Sequence, residues 1–130
     1  YLQGPLQAQT EYFLTHVTRS GASALNFKGW YATTAYVLTG QSPSYNNQSS
    51  TFGSIPGSNI WQVAARVSSI DLNNQDIAGG KQMNYGLAVN WYPYKEIRTS
   101  LDYLYEVINP QAGQAERKVN AVASRLQFMF

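Results

Sequence analysis

Over the stretch Val122-Ala-Ser-Arg-Leu-Gln-Phe-Met-Phe130 the side chains alternate in character with a period of two. An extended strand puts Val122, Ser124, Leu126, Phe128 and Phe130 on one side and Ala123, Arg125, Gln127 and Met129 on the other. Such a strand offers aromatics to an apolar medium and an arginine to water. It belongs at a boundary between the two, and no segment of the chain carries a helical stripe that would compete with this reading.

Composition agrees once the alternation is taken into account. Of the 130 residues, 44% are hydrophobic, 14% aromatic and 12% charged, while the mean hydropathy of -0.33 is that of a polar chain. Strands that are wet on one face and apolar on the other average out in this way. No run of about eighteen apolar residues exists, so a transmembrane helix is excluded. The length suits one domain, residues 1–130. The chain has no cysteine, which removes disulfides, thiol catalysis and thiolate metal sites. A net charge of +2 spread over nine Lys and Arg residues gives no basic cluster for nucleic acid. No signal peptide and no starting Met are present, so Tyr1 reads as a processed or truncated beginning.

Six segments read as strands: residues 6–17, 25–39, 60–72, 82–92, 97–107 and 119–130. Gly, Pro, Asn and Ser bound them, and their even spacing points to consecutive antiparallel hairpins rather than βαβ units. Residues 18–24, 73–80 and 109–117 read as connections at one end of the sheet. At the other end lie a tight Pro93-Tyr94-Lys95-Glu96 turn and a long connection, 40–59, rich in Gly, Ser, Asn and Pro.

A closing strand that stops on an aromatic resembles the C-terminal strand of bacterial outer-membrane β-barrels, where the insertion machinery reads that residue. Three further stretches resemble the phosphate-selective porin family of the O and P type: Phe27-Lys-Gly-Trp-Tyr-Ala-Thr-Thr-Ala-Tyr-Val-Leu-Thr-Gly40, Trp61-Gln-Val-Ala-Ala-Arg-Val-Ser-Ser-Ile-Asp-Leu-Asn73 and Gly79-Gly-Lys-Gln-Met-Asn-Tyr-Gly-Leu-Ala-Val-Asn-Trp-Tyr-Pro93. The match covers nearly the whole chain in the order of that family's C-terminal third. It departs at Gln41, where the family usually has Glu, and at Val67, where an aromatic usually follows the Arg. The resemblance implies an antiparallel transmembrane barrel of about sixteen strands, a homotrimer in the outer membrane, that passes small anions such as phosphate or polyphosphate by diffusion. The family's inward-folded arginine loop would lie upstream of Tyr1. Six strands cannot close, since small barrels need about eight, so the chain is expected to be the C-terminal portion of a larger barrel. Counting back from a periplasmic C-terminus makes the three shorter connections extracellular and places 40–59 in the periplasm, where its length is unexpected: either it folds into the lumen, which its Gly, Ser, Asn and Pro content favours, or the strand count is off by one in that region.

Hydrophobic phase assigns the faces. Outward positions are Trp61, Val63, Ala65 and Val67; Met83, Tyr85, Leu87, Val89 and Trp91; Leu101, Tyr103, Tyr105 and Val107; and Leu126, Phe128 and Phe130. Trp30, Ala32, Tyr36 and Leu38 join them, with Lys28 at the outer rim. Trp61, Trp91, Tyr103, Phe128 and Phe130 are the membrane-interface aromatics, facing the lipid bilayer. Lumen positions include Asn84, Ser100, Glu106 and Gln127, together with the pore-lining or anion-binding candidates Arg66, Arg98, Arg125, Asn90 and Asp102. An arginine at mid-depth on the lipid face costs roughly 2–4 kcal/mol, which enforces this phase. A register that sets Trp61 opposite Trp91 also sets Arg66 opposite Gly86, and a turn at Pro93 brings Asp102 beside Gly86 from the other side. Arg66 and Asp102 then lean together over the glycine as a bracing salt bridge. Arg98 and Arg125 share one half of the barrel, either as an anion-attracting patch or as charges screened by Glu96 and water.

Catalysis has no constellation here. His16, the single histidine, reads as packed or solvated. Gly79-Gly80-Lys81 lacks the context of a phosphate loop and reads as a turn. Asp71, Asn73, Asn74 and Asp76 fail calcium-loop spacing and read as a polar turn. No enzyme, cofactor or metal is expected. The rival to a diffusion pore is a plugged structural barrel that anchors a surface assembly or acts as an adhesin, and ion conduction separates the two.

Overall fold

The computed structural model describes residues 1–46, 51–109 and 115–128. Its main element is a seven-stranded antiparallel sheet in the order β1 (Leu2–Gln3), β2 (Leu6–Arg19), β3 (Ala22–Val37), β6 (Ile60–Asn74), β7 (Ile77–Tyr94), β8 (Ile97–Asn109) and β9 (Arg117–Phe128). Between β3 and β6 the chain forms a small ladder of β4 (Tyr45–Asn46) with β5 (Thr51–Phe52). Apart from that excursion, each strand pairs with its successor, as the hairpin spacing predicts. The sheet counts seven strands rather than six because two residues at the start of the chain fold back on Leu6 and Gln7.

The strands overrun their expected ends. Arg19 pairs with Ala22 around Ser20 and Gly21, and Asn74 with Ile77 around Gln75 and Asp76. Bulges precede both turns, between Val17 and Arg19 and between Asp71 and Asn73. Gly79-Gly80-Lys81 is therefore strand, not turn. A Cβ on Gly79 would lie 2.7 Å from Leu72 Cβ and 2.8 Å from its carbonyl oxygen. The glycine serves a close backbone approach at the bulge.

Registers Trp61 to Trp91 and Arg66 to Gly86 are as the alternation dictates. Asp102 is displaced from its expected place: it faces Ala88, while Gly86 faces Leu104. The turn pivots on Lys95 and Glu96, later than Pro93 implied, and Pro93 is absorbed in a bulge between Trp91 and Tyr94. A proline lacks the N–H that a regular ladder position needs, so the bulge is where it fits.

The two faces of the sheet differ in an inverted way. Trp61, Val63, Tyr85, Leu87, Val89, Trp91, Leu101 and Tyr103 share one face and are all exposed, Leu87 at 60%. The opposite face holds the buried polar groups Gln62, Asn90 and Ser100, with Asn90 at 2% exposure. Val37 and Ile60, where the long connection leaves and rejoins the sheet, are fully buried. That connection is tied down by Leu38 N–H to the Trp61 carbonyl (2.8 Å) and Asn59 N–H to the Pro93 carbonyl (3.1 Å). The polar face has an apolar sector of its own near the Gly21 turn, where Phe13, Phe27 and Ile70 line a groove and Phe13 stacks on Tyr31. β9 and most of β2 leave their outer edges unpaired among the described residues.

Candidate functional site

The ladders arrange the polar face in rungs. One runs Val37, Gln62, Asn90, Ser100, Arg125 across five strands. The next is nearly all methyl groups: Ala35, Ala64, Ala88, Asp102, Ala123. A third runs Gln9, Thr33, Arg66, Gly86, Leu104. Each rung crosses strands spaced about 4.8 Å apart, and successive rungs on one face lie about 7 Å apart along a strand.

Arg98 is fixed from below. Its Nε and Nη2 both donate to Asn90 Oδ1, at 3.2 and 2.9 Å, and its guanidinium carbon lies 5.7 Å from the centre of the Tyr92 ring. Asn90 in turn donates from Nδ2 to Gln62 Oε1 at 3.0 Å, and the Tyr92 hydroxyl donates to the same oxygen at 3.4 Å. Both ends of the Asn90 amide are thus engaged, and the residue is nearly shut off from solvent. Arg98 sits opposite Gln127 and Arg125 opposite Ser100, so the two arginines are diagonal neighbours rather than a facing pair. Glu96 pairs with Lys95 at 3.3 Å and forms no ion pair with Arg98.

Arg66 has a different support. Its guanidinium carbon lies 4.0 Å above the Tyr31 ring centre, close enough for a cation–π contact. Gln9 Nε2 bonds both the Tyr31 hydroxyl (2.7 Å) and Glu11 Oε1 (2.8 Å). The expected salt bridge of Arg66 with Asp102 does not form, because the hairpin pivot sets Asp102 one rung away and two strands over. Among the described residues no acid lies within ion-pair distance of Arg66, Arg98 or Arg125. Arg66 also borders a groove of about 950 Å³ with Gln9, Thr33, Gly86 and Tyr45. Tyr31 was not singled out in the sequence, though its phase with Thr33 and its place opposite Ser68 put it on this face.

On the apolar face Trp61 and Trp91 stack with centroids 5.7 Å apart, and Trp91 Nε1 donates to Asn59 Oδ1 at 3.1 Å. Tyr103 shares that face and donates to Asn120 Oδ1 at 2.7 Å. Phe128 lies opposite Ile97 and is exposed. Phe130 falls outside the described residues.

The hairpin tips hold a link that the sequence did not suggest. Arg19 grips Asp76 with both terminal nitrogens, one at 2.9 Å, and also donates from Nε to the Ser23 carbonyl. The fork ties the β2–β3 turn to the β6–β7 turn and holds the Asp76 carboxyl well below its ordinary range, at about 2. Asp71 is occupied by the backbone and side-chain amides of Asn73, both at 3.1 Å. His16 Nδ1 shares a hydrogen bond with Asn26 Oδ1. Among the described residues no three His, Cys, Asp or Glu side chains gather as a metal site.

A family model described as phosphate-selective porin O and P matches residues 1–130, the whole chain. Porin O of Pseudomonas aeruginosa is 29% identical over 149 aligned positions, covering 100% of this chain and 33% of that protein. An uncharacterized protein of Caulobacter vibrioides is 32% identical over 114 positions, covering 80% of this chain and 23% of its own length. The chain thus spans a third or less of these relatives.

Proposed function

Because the chain belongs to the phosphate-selective porin O and P family, we propose that it forms part of the wall of an outer-membrane barrel through which small anions, phosphate or polyphosphate among them, pass by passive diffusion. A porin carries out no chemical turnover. The observation that carries the reading is the pairing of an exposed aromatic and aliphatic face with an opposite face whose arginines have no acidic partner among the described residues. In water such an apolar face would drive aggregation; in lipid it is the solvated surface.

Dimensions support the same reading. On β7 the apolar positions run from Met83 to Trp91, with Lys81 just beyond. The ten steps from Lys81 to Trp91 extend about 33 Å, which a strand tilt of about 40° reduces to about 25 Å, the height of a lipid-facing band. The unpaired edges of β2 and β9 call for partner strands, and we assign these to the rest of a barrel of about sixteen strands, assembled as a homotrimer and inserted by the outer-membrane machinery. In that barrel the connection between β3 and β6 folds into the lumen from the periplasmic end, and Trp61, Trp91, Tyr103 and Phe128 face lipid.

The test is the zero-current reversal potential of the full-length parent in a planar bilayer under a KCl gradient, repeated with phosphate. Anion selectivity with phosphate block is expected. A silent barrel would overturn the reading and favour a plugged anchor or adhesin.

A further inference from the structure

An arginine in a protein wall is usually held by a carboxylate, which fixes its position and cancels its charge in the same act. Arg98 is held without cancellation. Its partners are an amide oxygen and an aromatic face, both neutral, and Nη1 makes no hydrogen bond or ion pair among the described residues. The amide has no freedom to turn. A guanidinium has donors only, so the oxygen of Asn90 must face it, and the Nδ2 group must then find an acceptor elsewhere. Gln62 supplies that acceptor from β6, and the Tyr92 hydroxyl donates to the same oxygen. With Asn90 at 2% and Gln62 at 5% exposure, water does not compete for these bonds.

We infer that Asn90 is a positioning residue, not an anion ligand: backed by Gln62, it aims the free edge of the Arg98 guanidinium, with its charge intact, at a small oxyanion whose second contact is Arg125. The register supports the pairing, since Arg98 and Arg125 are diagonal neighbours across β8 and β9 with the small Ser100 beside Arg125. Two forks at that spacing suit a tetrahedral oxyanion such as phosphate better than a halide. This rests on the porin reading and adds to it a site and a device that keeps the site charged.

The decisive variant is Asn90→Asp in the full-length parent. It is nearly isosteric and keeps the bond to Arg98, but turns the neutral support into a counter-ion. The anion-to-cation permeability ratio should fall roughly fivefold, the effect of one unit charge a few ångströms from the ion path, and Arg98→Gln should give the same fall. As pH is lowered toward about 2, the range in which the arginine-held Asp76 carboxyl titrates, the difference between Asn90→Asp and the parent should narrow, a response that a merely structural defect would not give. If Asn90→Asp does not assemble, Asn90→Ser serves: the charge stays while its aim is lost, so selectivity in KCl should hold and the phosphate concentration for half block should rise severalfold. An unchanged permeability ratio in a correctly assembled Asn90→Asp barrel, or unchanged phosphate block in Asn90→Ser, would overturn the inference while leaving the porin reading in place. A parent that conducts nothing would remove both.

Discussion

The hairpin tips and the polar face treat charge in opposite ways. At the turns each described cation with an ion pair meets an acid: Arg19 meets Asp76, Lys95 meets Glu96 and Lys118 meets Glu116. On the polar face Arg66 lies on the Tyr31 ring and Arg98 on the Asn90 amide. The same residue type closes a turn in one place and remains an open charge in the other. The difference lies in the partner. A carboxylate neutralises what it holds, whereas a π face or an amide oxygen only orients it.

The strongest way to break this contrast is to move a charge through the wall. Leu87→Arg puts a guanidinium mid-way along the apolar face and should cost about 2–4 kcal/mol of stability in lipid, whereas Ala88→Arg, one residue on, enters the polar face beside Asp102 and should cost far less. Urea titration of the full-length barrel in vesicles would show the difference; equal costs would mean the faces are misassigned. Next in size is Arg66→Gln, expected to lower the anion-to-cation permeability ratio severalfold and, by removing the contact with the Tyr31 ring, to lower stability by about 0.5–1 kcal/mol. Tyr31→Leu should leave that ratio almost unaltered, since the charge stays, while lowering stability by about 0.5–1 kcal/mol through the lost cation–π contact.

The rim should answer in the opposite sense. Asp76→Asn removes the fork to Arg19 and should slightly lower thermal stability with no effect on permeability, since exposed pairs contribute little. A measurable loss of anion selectivity in that variant would blur the distinction between rim and lumen. The smallest effect is in pH. Asp76 titrates lower in the folded protein than in the unfolded chain, so its contribution is present above the ordinary carboxylate value of 3.8 and is lost as pH falls toward about 2. The stability difference between the parent and Asp76→Asn should therefore vanish across that window in thermal melts at stepped pH.

How legible all this was depends on the range of the interaction. Strand phase, the Trp61–Trp91 and Arg66–Gly86 registers and the exclusion of helices follow from alternation alone, because a one-residue slip would exchange the apolar face for the polar one. The place of Asp102 did not follow. A pivot displaced by a residue, with Pro93 taken into a bulge, moves every partner on β8, and nothing local to Asp102 records it. Gly79 and Gly80 misled for a related reason: glycine marks both turns and close backbone approach, and only the position of Leu72 decides between them. The Arg19–Asp76 fork joins residues 57 apart through two separate turns, beyond the reach of any pattern along the chain.

The rung of Ala35, Ala64, Ala88 and Ala123, interrupted only by Asp102, lies between the tiers of Arg66 and Arg125. Methyl groups offer an anion no coordination, and the lone carboxylate repels it. If the proposed pore conducts, an anion on this part of the wall must leave one arginine tier before it meets the next, so passage between them is a step over a barrier rather than a slide along a continuous basic track.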